Sequence, residues 1–288
     1  MTRSLCFNQL HSSTQRAIKA WIAPCNLTPH RSITQSTGKM SFAYTTLRAQ
    51  EIKENLDGVK ARMDEVLQSQ SGATSKARLV AVSKYKPASD ILAAYEKAGH
   101  RHFGENYVQE LEEKSKELPS DIRWHFIGSL QSNKCKTVAA IPNLFVVETV
   151  DSAKKASTLD KACAAAARPE PLRIFLQVNT SGEESKSGMS SRESLEVARH
   201  VLSSCPHLKL AGLMTIGSPN PDLENGENPD FKALYQCRTA IQDTLQTEGL
   251  ELSMGMSDDF QRALQQGSTN IRVGSTIFGS RPPFTKSS

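Results

Sequence analysis

Short apolar runs alternate with longer amphipathic stretches along most of the chain. Leu79-Val80-Ala81-Val82-Ser83-Lys84 is rich in Val and Leu and reads as a strand buried on both faces, stopped by Pro87. The stretch Ala88 to Ala98 that follows has helical spacing, and Gly99 caps it. The pattern then repeats. Strands are predicted at 101–104, 122–128, 144–150, 172–178, 208–216, 250–254 and 270–273. Helices are predicted between them, at 108–118, through 140, to 167, at 192–203, 231–247 and 260–266. A further helix, about 45–68, precedes the first strand, with Leu47, Ile52, Leu56, Val59, Met63, Val66 and Leu67 near helical spacing. Eight strand–helix repeats at a spacing of about 25 residues, without hairpin signals, predict one α/β domain. Its architecture is a closed (β/α)8 TIM barrel preceded by an N-terminal helix that packs outside or plugs the bottom. An open doubly wound sheet is the alternative, but no GxGxxG follows the first strand.

Charge and composition bound the rest. The 288 residues are 38% hydrophobic and 23% charged, which suits a packed core, and no apolar run approaches the roughly 20 residues that span a bilayer. The net charge is +5, and residues 1–39 carry Arg3, Arg16, Lys19, Arg31 and Lys39 with no acid. Removing those five leaves the remainder near neutral, so nucleic-acid binding is not expected. Residues 1–40 are Ser/Thr-rich and weakly amphipathic, and read as a disordered basic extension with the composition of a mitochondrial transit peptide. An untargeted tail is the plainer reading, and Met40 offers a second start for a cytosolic form. Residues 41–288 form the expected barrel domain. The six cysteines show no CxxC pair or Cys/His cluster, which argues against zinc and a disulfide framework and fits a reducing compartment.

In such a barrel the strand carboxyl ends carry the site. Lys84 ends the first strand, Asn106 follows the second, His125 lies within the third, Asn179 ends the fifth and Ser253 ends the seventh. A lysine at that mouth is placed like a Schiff-base amine, although snorkelling to solvent is the default for a strand-end lysine. His125, between Trp124 and Phe126, is by default a core histidine, and Asn106 and Asn179 are by default turn residues. The loops Ser253-Met254-Gly255-Met256-Ser257 and Arg272-Val273-Gly274-Ser275-Thr276 each join hydroxyls to a glycine, at the address of the barrel phosphate cup. A strand-one lysine, a phosphate cup and a strand-eight arginine suit pyridoxal 5′-phosphate (PLP), with Arg272 facing the pyridine nitrogen.

These residues resemble a known family. Ala81-Val82-Ser83-Lys84, Phe103-Gly104-Glu105-Asn106-Tyr107-Val108-Gln109-Glu110, Trp124-His125-Phe126-Ile127-Gly128 and Gly182-Glu183-Glu184-Ser185-Lys186-Ser187-Gly188 are similar to the pyridoxal phosphate homeostasis proteins. So are Gln177-Val178-Asn179-Thr180, Gly212-Leu213-Met214-Thr215-Ile216, Leu252-Ser253-Met254-Gly255-Met256-Ser257 and 271–279. The resemblance runs from about Arg78 to Ser280. It implies an alanine-racemase-like barrel holding one PLP as an aldimine on Lys84. Ser253, Gly274, Ser275 and Thr276 would hold the phosphate and Arg272 would face the ring nitrogen, with Asn106 and His125 also at the cofactor. It implies a protein without established turnover that buffers PLP and delivers it to apoenzymes in the cytoplasm, the mitochondrion or both. A monomer is expected.

A PLP-dependent racemase is the alternative, and a class I aldolase with a bare lysine is a third reading. Against the racemase, only Arg281 to Ser288 follow the last strand, which leaves no room for a second domain, and Tyr85 is the one weak candidate for a second base. Lys186 is a second amine near the mouth, by default a solvated loop lysine and otherwise a relay for outgoing PLP.

Overall fold

The structure is a computed structural model that describes residues 43–69, 76–183, 187–218, 221–223 and 226–280. The amino-terminal extension and Lys186 lie outside the described residues. The chain divides into Met1–Lys39 and Met40–Ser288, and every described residue belongs to the second unit.

Eight parallel strands close into a barrel in sequence order, each paired to the next and the eighth to the first. They are β1 (Arg78–Val82), β2 (His102–Glu105), β3 (Arg123–Phe126), β4 (Leu144–Val150), β5 (Leu172–Gln177), β6 (Leu208–Met214), β7 (Glu251–Ser253) and β8 (Asn270–Val273). The helices are α1 (Thr46–Ser69), α2 (Ala88–Ala98), α3 (Val108–Glu117), α4 (Cys135–Ala139), α5 (Ala153–Ala165), α6 (Ser191–Ser204), α7 (Pro229–Leu245), α8 (Phe260–Gln265) and α9 (Ser275–Phe278). The predicted barrel is therefore found, with a helix ahead of the first strand. Gly99 caps α2 at φ 62°, and Ser190 with Glu193 forms a capping box at the start of α6.

Helix α1 packs outside the barrel rather than under it. Ala49, Ile52, Leu56, Val59, Met63 and Val66 fall three or four apart and form one buried stripe against α2, α8 and α9. The same helix holds the short α9: Arg48 Nη2 donates to the Phe278 carbonyl at 2.9 Å and Asn55 Nδ2 to that of Ile277 at 3.0 Å. Arg48 also pairs with Asp90 of α2 at 2.6 Å. The element before the barrel thus braces the loop after β8.

Strand ends differ from expectation by two residues where it matters. Strand β1 stops at Val82, and Ser83 to Lys86 is a tight turn closed by the Lys86 N–H to the Ser83 carbonyl at 3.0 Å. Tyr85 takes φ 61° there, a left-handed conformation uncommon for an aromatic residue. Lys84 therefore sits in a turn past the strand, not at its end. Inside the barrel Val146, Phe175, Ala211 and Met214 pack together, while the larger apolar core lies between strands and helices. At the amino-terminal mouth Arg78, Arg123 and Arg173 surround the Phe145 ring at 5.1, 5.8 and 5.0 Å, and Glu251 accepts from Arg78 and Arg173. That end is closed by charge pairing and stacking, and the open mouth is at the carboxyl ends.

Candidate functional site

A pocket of about 320 Å³ opens at the carboxyl ends of β1, β2, β6, β7 and β8. Lys84, Asn106, Arg272, Gly274 and Ser275 line it, as expected, and Lys86, Ile127, Met214, Ile216, Met256 and Ser257 join them. Apolar side chains thus share the lining with two lysines, an arginine, hydroxyls and the Asp258 carboxyl. Asn106 Oδ1 is buried and has no hydrogen-bond partner, which leaves an acceptor on the pocket wall. Gly128 permits the local packing, because a Cβ there would meet the Asn106 carbonyl oxygen at 1.9 Å.

The loops after β7 and β8 face one another. Gly255, at φ 93°, turns the first loop and packs so closely that a Cβ would lie 2.5 Å from that of Ala263. This brings the Ser257 hydroxyl to the second loop, where it accepts the Gly274 N–H at 3.3 Å and lies 3.0 Å from Ser275 Oγ. Gly274 fits against the end of β1, where a Cβ would meet Val82 at 3.3 Å. Helix α9 starts at Ser275, so the first backbone N–H groups from Ser275 onward have no intrahelical acceptor. The rim thus presents hydroxyls and N–H groups together.

Beneath the pocket lies a buried polar chain. Arg272 Nη1 donates to Ser253 Oγ at 2.6 Å, and Nη2 donates to the Thr215 carbonyl at 2.8 Å. Ser253 donates to Glu148 Oε2 at 2.5 Å, and Asn270 Nδ2 donates to Glu148 Oε1 at 2.9 Å and to Ser253 Oγ at 3.2 Å. Glu148 Oε1 accepts from His125 Nδ1 at 2.7 Å, and His125 Nε2 meets His102 Nδ1 at 2.8 Å. Burial alone would push the Glu148 carboxyl up, but the contacts from His125, Arg272 and Ser253 outweigh it and hold the carboxyl below its usual range. Burial lowers His125, and burial with the His125 and Arg78 neighbours takes His102 down to about 2. The chain therefore holds neutral imidazoles, one carboxylate and one guanidinium.

This geometry separates the expected site residues. Ser253 is fully buried and absent from the pocket lining. A hydroxyl has one proton and two lone pairs, and here the proton goes to Glu148 while Arg272 and Asn270 occupy the acceptor side. Ser253 has no donor left for a phosphate, and the serine that reaches the rim from that loop is Ser257. His125, expected at the cofactor, likewise lies beneath the pocket, with both nitrogens engaged by His102 and Glu148. Thr276 is half-buried in α9 and does not line the pocket. Asn179 is a turn residue, its Oδ1 accepting the Gly182 N–H at 3.1 Å. Lys86 was missed, although it stands two residues from Lys84. Its amine donates to the Ser280 carbonyl at 2.9 Å, and burial with the Arg48 charge lowers its pKa.

The buried histidines set a pH dependence. His100 is lowered by burial to about 4 and His102 to about 2, and His125 is also depressed. The fold keeps them neutral while the unfolded chain takes up protons near 6.5, so their contribution is present above that value and lost as pH falls. Glu105 opposes them, since burial raises its carboxyl to about 7 and the fold binds that proton first. Combining the two, unfolding free energy should drop by about 2 kcal/mol between about pH 7 and pH 5.5. Denaturant titrations at both values check this, and equal or greater stability at the lower pH would contradict it.

Among the described residues no helix is long and apolar enough to cross a membrane, and no group of three or more His, Cys, Asp or Glu is placed to hold a metal. Cys135, Cys163, Cys205 and Cys237 are free and buried, and burial raises their thiols, that of Cys163 to about 11.

Known proteins share this barrel and its sequence. The family model described as alanine racemase, N-terminal domain, matches residues 50–282. The human pyridoxal phosphate homeostasis protein is 49% identical over 211 residues, covering 71% of this chain and 76% of that protein. The protein of the same name from Haemophilus influenzae is 39% identical over 237 residues, covering 80% and 96%. The structure of PipY from Synechococcus elongatus with PLP bound superposes with a TM-score of 0.66 at 32% identity, covering 79% of this chain and all of that one. Alanine racemase from Clostridium difficile shares the fold, with a TM-score of 0.62 at 12% identity over 82% of this chain and 58% of that one. The chain belongs to the pyridoxal phosphate homeostasis proteins, within the alanine racemase N-terminal domain family.

Proposed function

We propose that this chain binds PLP in the upper-mouth pocket, captures it on Lys84, and buffers and delivers it rather than turning over a substrate. The observation that carries this reading is one pocket joining a lysine, an arginine fixed from below and a rim of hydroxyls and N–H groups. PLP brings an aldehyde that condenses reversibly with a primary amine, releasing water, and a dianionic phosphate that needs donors. The residues present fit it. The unpartnered Asn106 Oδ1 offers an acceptor to a ring substituent, and the close seat of Gly274 against Val82 keeps the rim backbone open to an anion.

Each residue then has a task. Lys84 supplies the amine. Arg272 stays charged and faces a ring acceptor, which supports an unprotonated pyridine nitrogen and a weak electron sink. Ser257, Ser275 and the backbone N–H groups of Ser275 and Thr276 donate to the phosphate. The PLP in the related cyanobacterial structure and the homeostasis names of the relatives support the same reading. The acid-free segment 1–39 supports import into mitochondria, with Met40 as the start of a cytosolic form. Recipient apoenzymes and a monomeric state complete the proposal.

A racemase needs a second acid or base across the substrate carbon. The candidate for it, Tyr85, turns its hydroxyl onto that of Tyr107, with the two rings 5.0 Å apart. The PLP-loaded chain, incubated with L-alanine in deuterated water, should therefore show neither Cα exchange nor racemisation at enzymatic rates, about 1 s⁻¹ or faster. Exchange at such a rate, lost in Lys84→Ala, would establish the enzyme reading instead.

A further inference from the structure

We infer that Lys114 is a positioning residue for Lys84, acting with Glu105 and Glu110 on the two peptide units that flank it. The inference rests on Lys84 as the capturing amine. Lys114 projects from α3 into the protein and is 7% exposed, a rare state for a lysine unless it is paired. Its amine has three hydrogens and donates to three oxygens: the Ser83 carbonyl at 3.0 Å, Glu105 Oε1 at 2.7 Å and Glu110 Oε2 at 2.8 Å. The carboxylates reach the same turn. Glu105 Oε1 accepts from Ser83 Oγ at 2.7 Å, and Glu110 Oε2 accepts the Tyr85 N–H at 3.0 Å.

The Ser83 carbonyl belongs to the peptide before Lys84, and the Tyr85 N–H belongs to the peptide after it. Both are tied to one buried ammonium, directly or through Glu110. This matters because Tyr85 holds φ 61°, a conformation that persists in an aromatic residue only where its surroundings impose it. A tie between α3 and the barrel would not need this arrangement. Leu111 already buries the helix face, and a buried ion pair often stabilises no more than apolar packing does. The cluster is aimed at the turn, and the turn carries Lys84 into the pocket lining.

The test mixes PLP with the full chain and follows the visible band by stopped flow, per folded molecule. Two variants are compared with the parent: Lys114→Met, which removes the ammonium, and Glu110→Ala, which frees the Tyr85 N–H. Both should slow band formation by about 10- to 100-fold and weaken its induced circular dichroism, while borohydride still places the adduct on Lys84. Glu110→Gln keeps an oxygen for the Tyr85 N–H and should recover most of the rate, which a general stabilising role would not produce. Glu110→Ala is a half-exposed site on α3 and serves alone if Lys114→Met does not fold. Parental rate and dichroism in Glu110→Ala, with the adduct on Lys84, would overturn the inference. An adduct on another lysine in the parent would instead remove the reading of Lys84 on which it rests.

Discussion

Lys84→Ala should abolish the borohydride-trappable visible band of the PLP-loaded protein while leaving the fold intact. The lysine stands in a turn past β1, not in the apolar core, and the peptide units on either side of it are held from outside, the Ser83 carbonyl by Lys114 and the Tyr85 N–H by Glu110. Removing the side chain leaves those ties in place. Lys86 lines the same pocket with a lowered pKa, so it is the amine that would inherit the aldehyde if position alone sufficed. Its amine is engaged with the Ser280 carbonyl, and the expected trapping in the variant is nil. Noncovalent PLP should persist, because the phosphate rim and Arg272 are untouched. Absorption before and after borohydride, with far-ultraviolet dichroism as the control for folding, measures this. A trapped band of parental size in the variant would assign the aldehyde to another amine.

Ser275→Asp should weaken PLP by about 100-fold or more while affecting pyridoxal much less. Ser275 is at the start of α9, exposed on the rim and 3.0 Å from Ser257 Oγ. A carboxylate there removes a donor and places a negative charge beside the phosphate position, and two like charges at about 4 Å at an effective dielectric near 20 repel by about 4 kcal/mol. Solvent at the exposed rim screens part of that, and roughly 3 kcal/mol corresponds to about 100-fold. Pyridoxal carries no phosphate and escapes the repulsion. Equal weakening of both ligands by equilibrium titration would place the phosphate elsewhere.

Much of the barrel was legible because each strand is a short apolar run and each helix an amphipathic stretch, with glycine or proline between them. The rule that sites gather at strand carboxyl ends then picked out Lys84, Asn106, Arg272, Gly274 and Ser275, all of which line one pocket. Within the Ser253–Ser257 loop the structure brings Ser257 to the pocket lining in place of the expected Ser253. Ser253 closes a strand and points into the barrel, and its partner Glu148 lies 105 positions away in the chain. No local pattern announces that contact, and Glu148 inside Leu144–Val150 reads, beside Thr149, as one of two polar residues in a buried strand. The left-handed Gly255 was a usable signal, since it reverses the chain and swings Ser257 to the rim. The cluster of Lys114, Glu105 and Glu110 was hidden for a similar reason. Lys114 sits in a charged helix where a solvated lysine is the ordinary expectation, and only the barrel's curvature brings Ser83 to it.

The central claim is that Lys84 is the amine at which this chain captures PLP. The direct measurement is borohydride reduction of the full chain loaded with PLP, followed by proteolysis and peptide mass spectrometry. The account predicts one phosphopyridoxyl adduct per chain, on the peptide containing Lys84 and assigned to that residue by fragmentation. An adduct on Lys86 or any other lysine, or a saturated protein that yields no adduct, would contradict it.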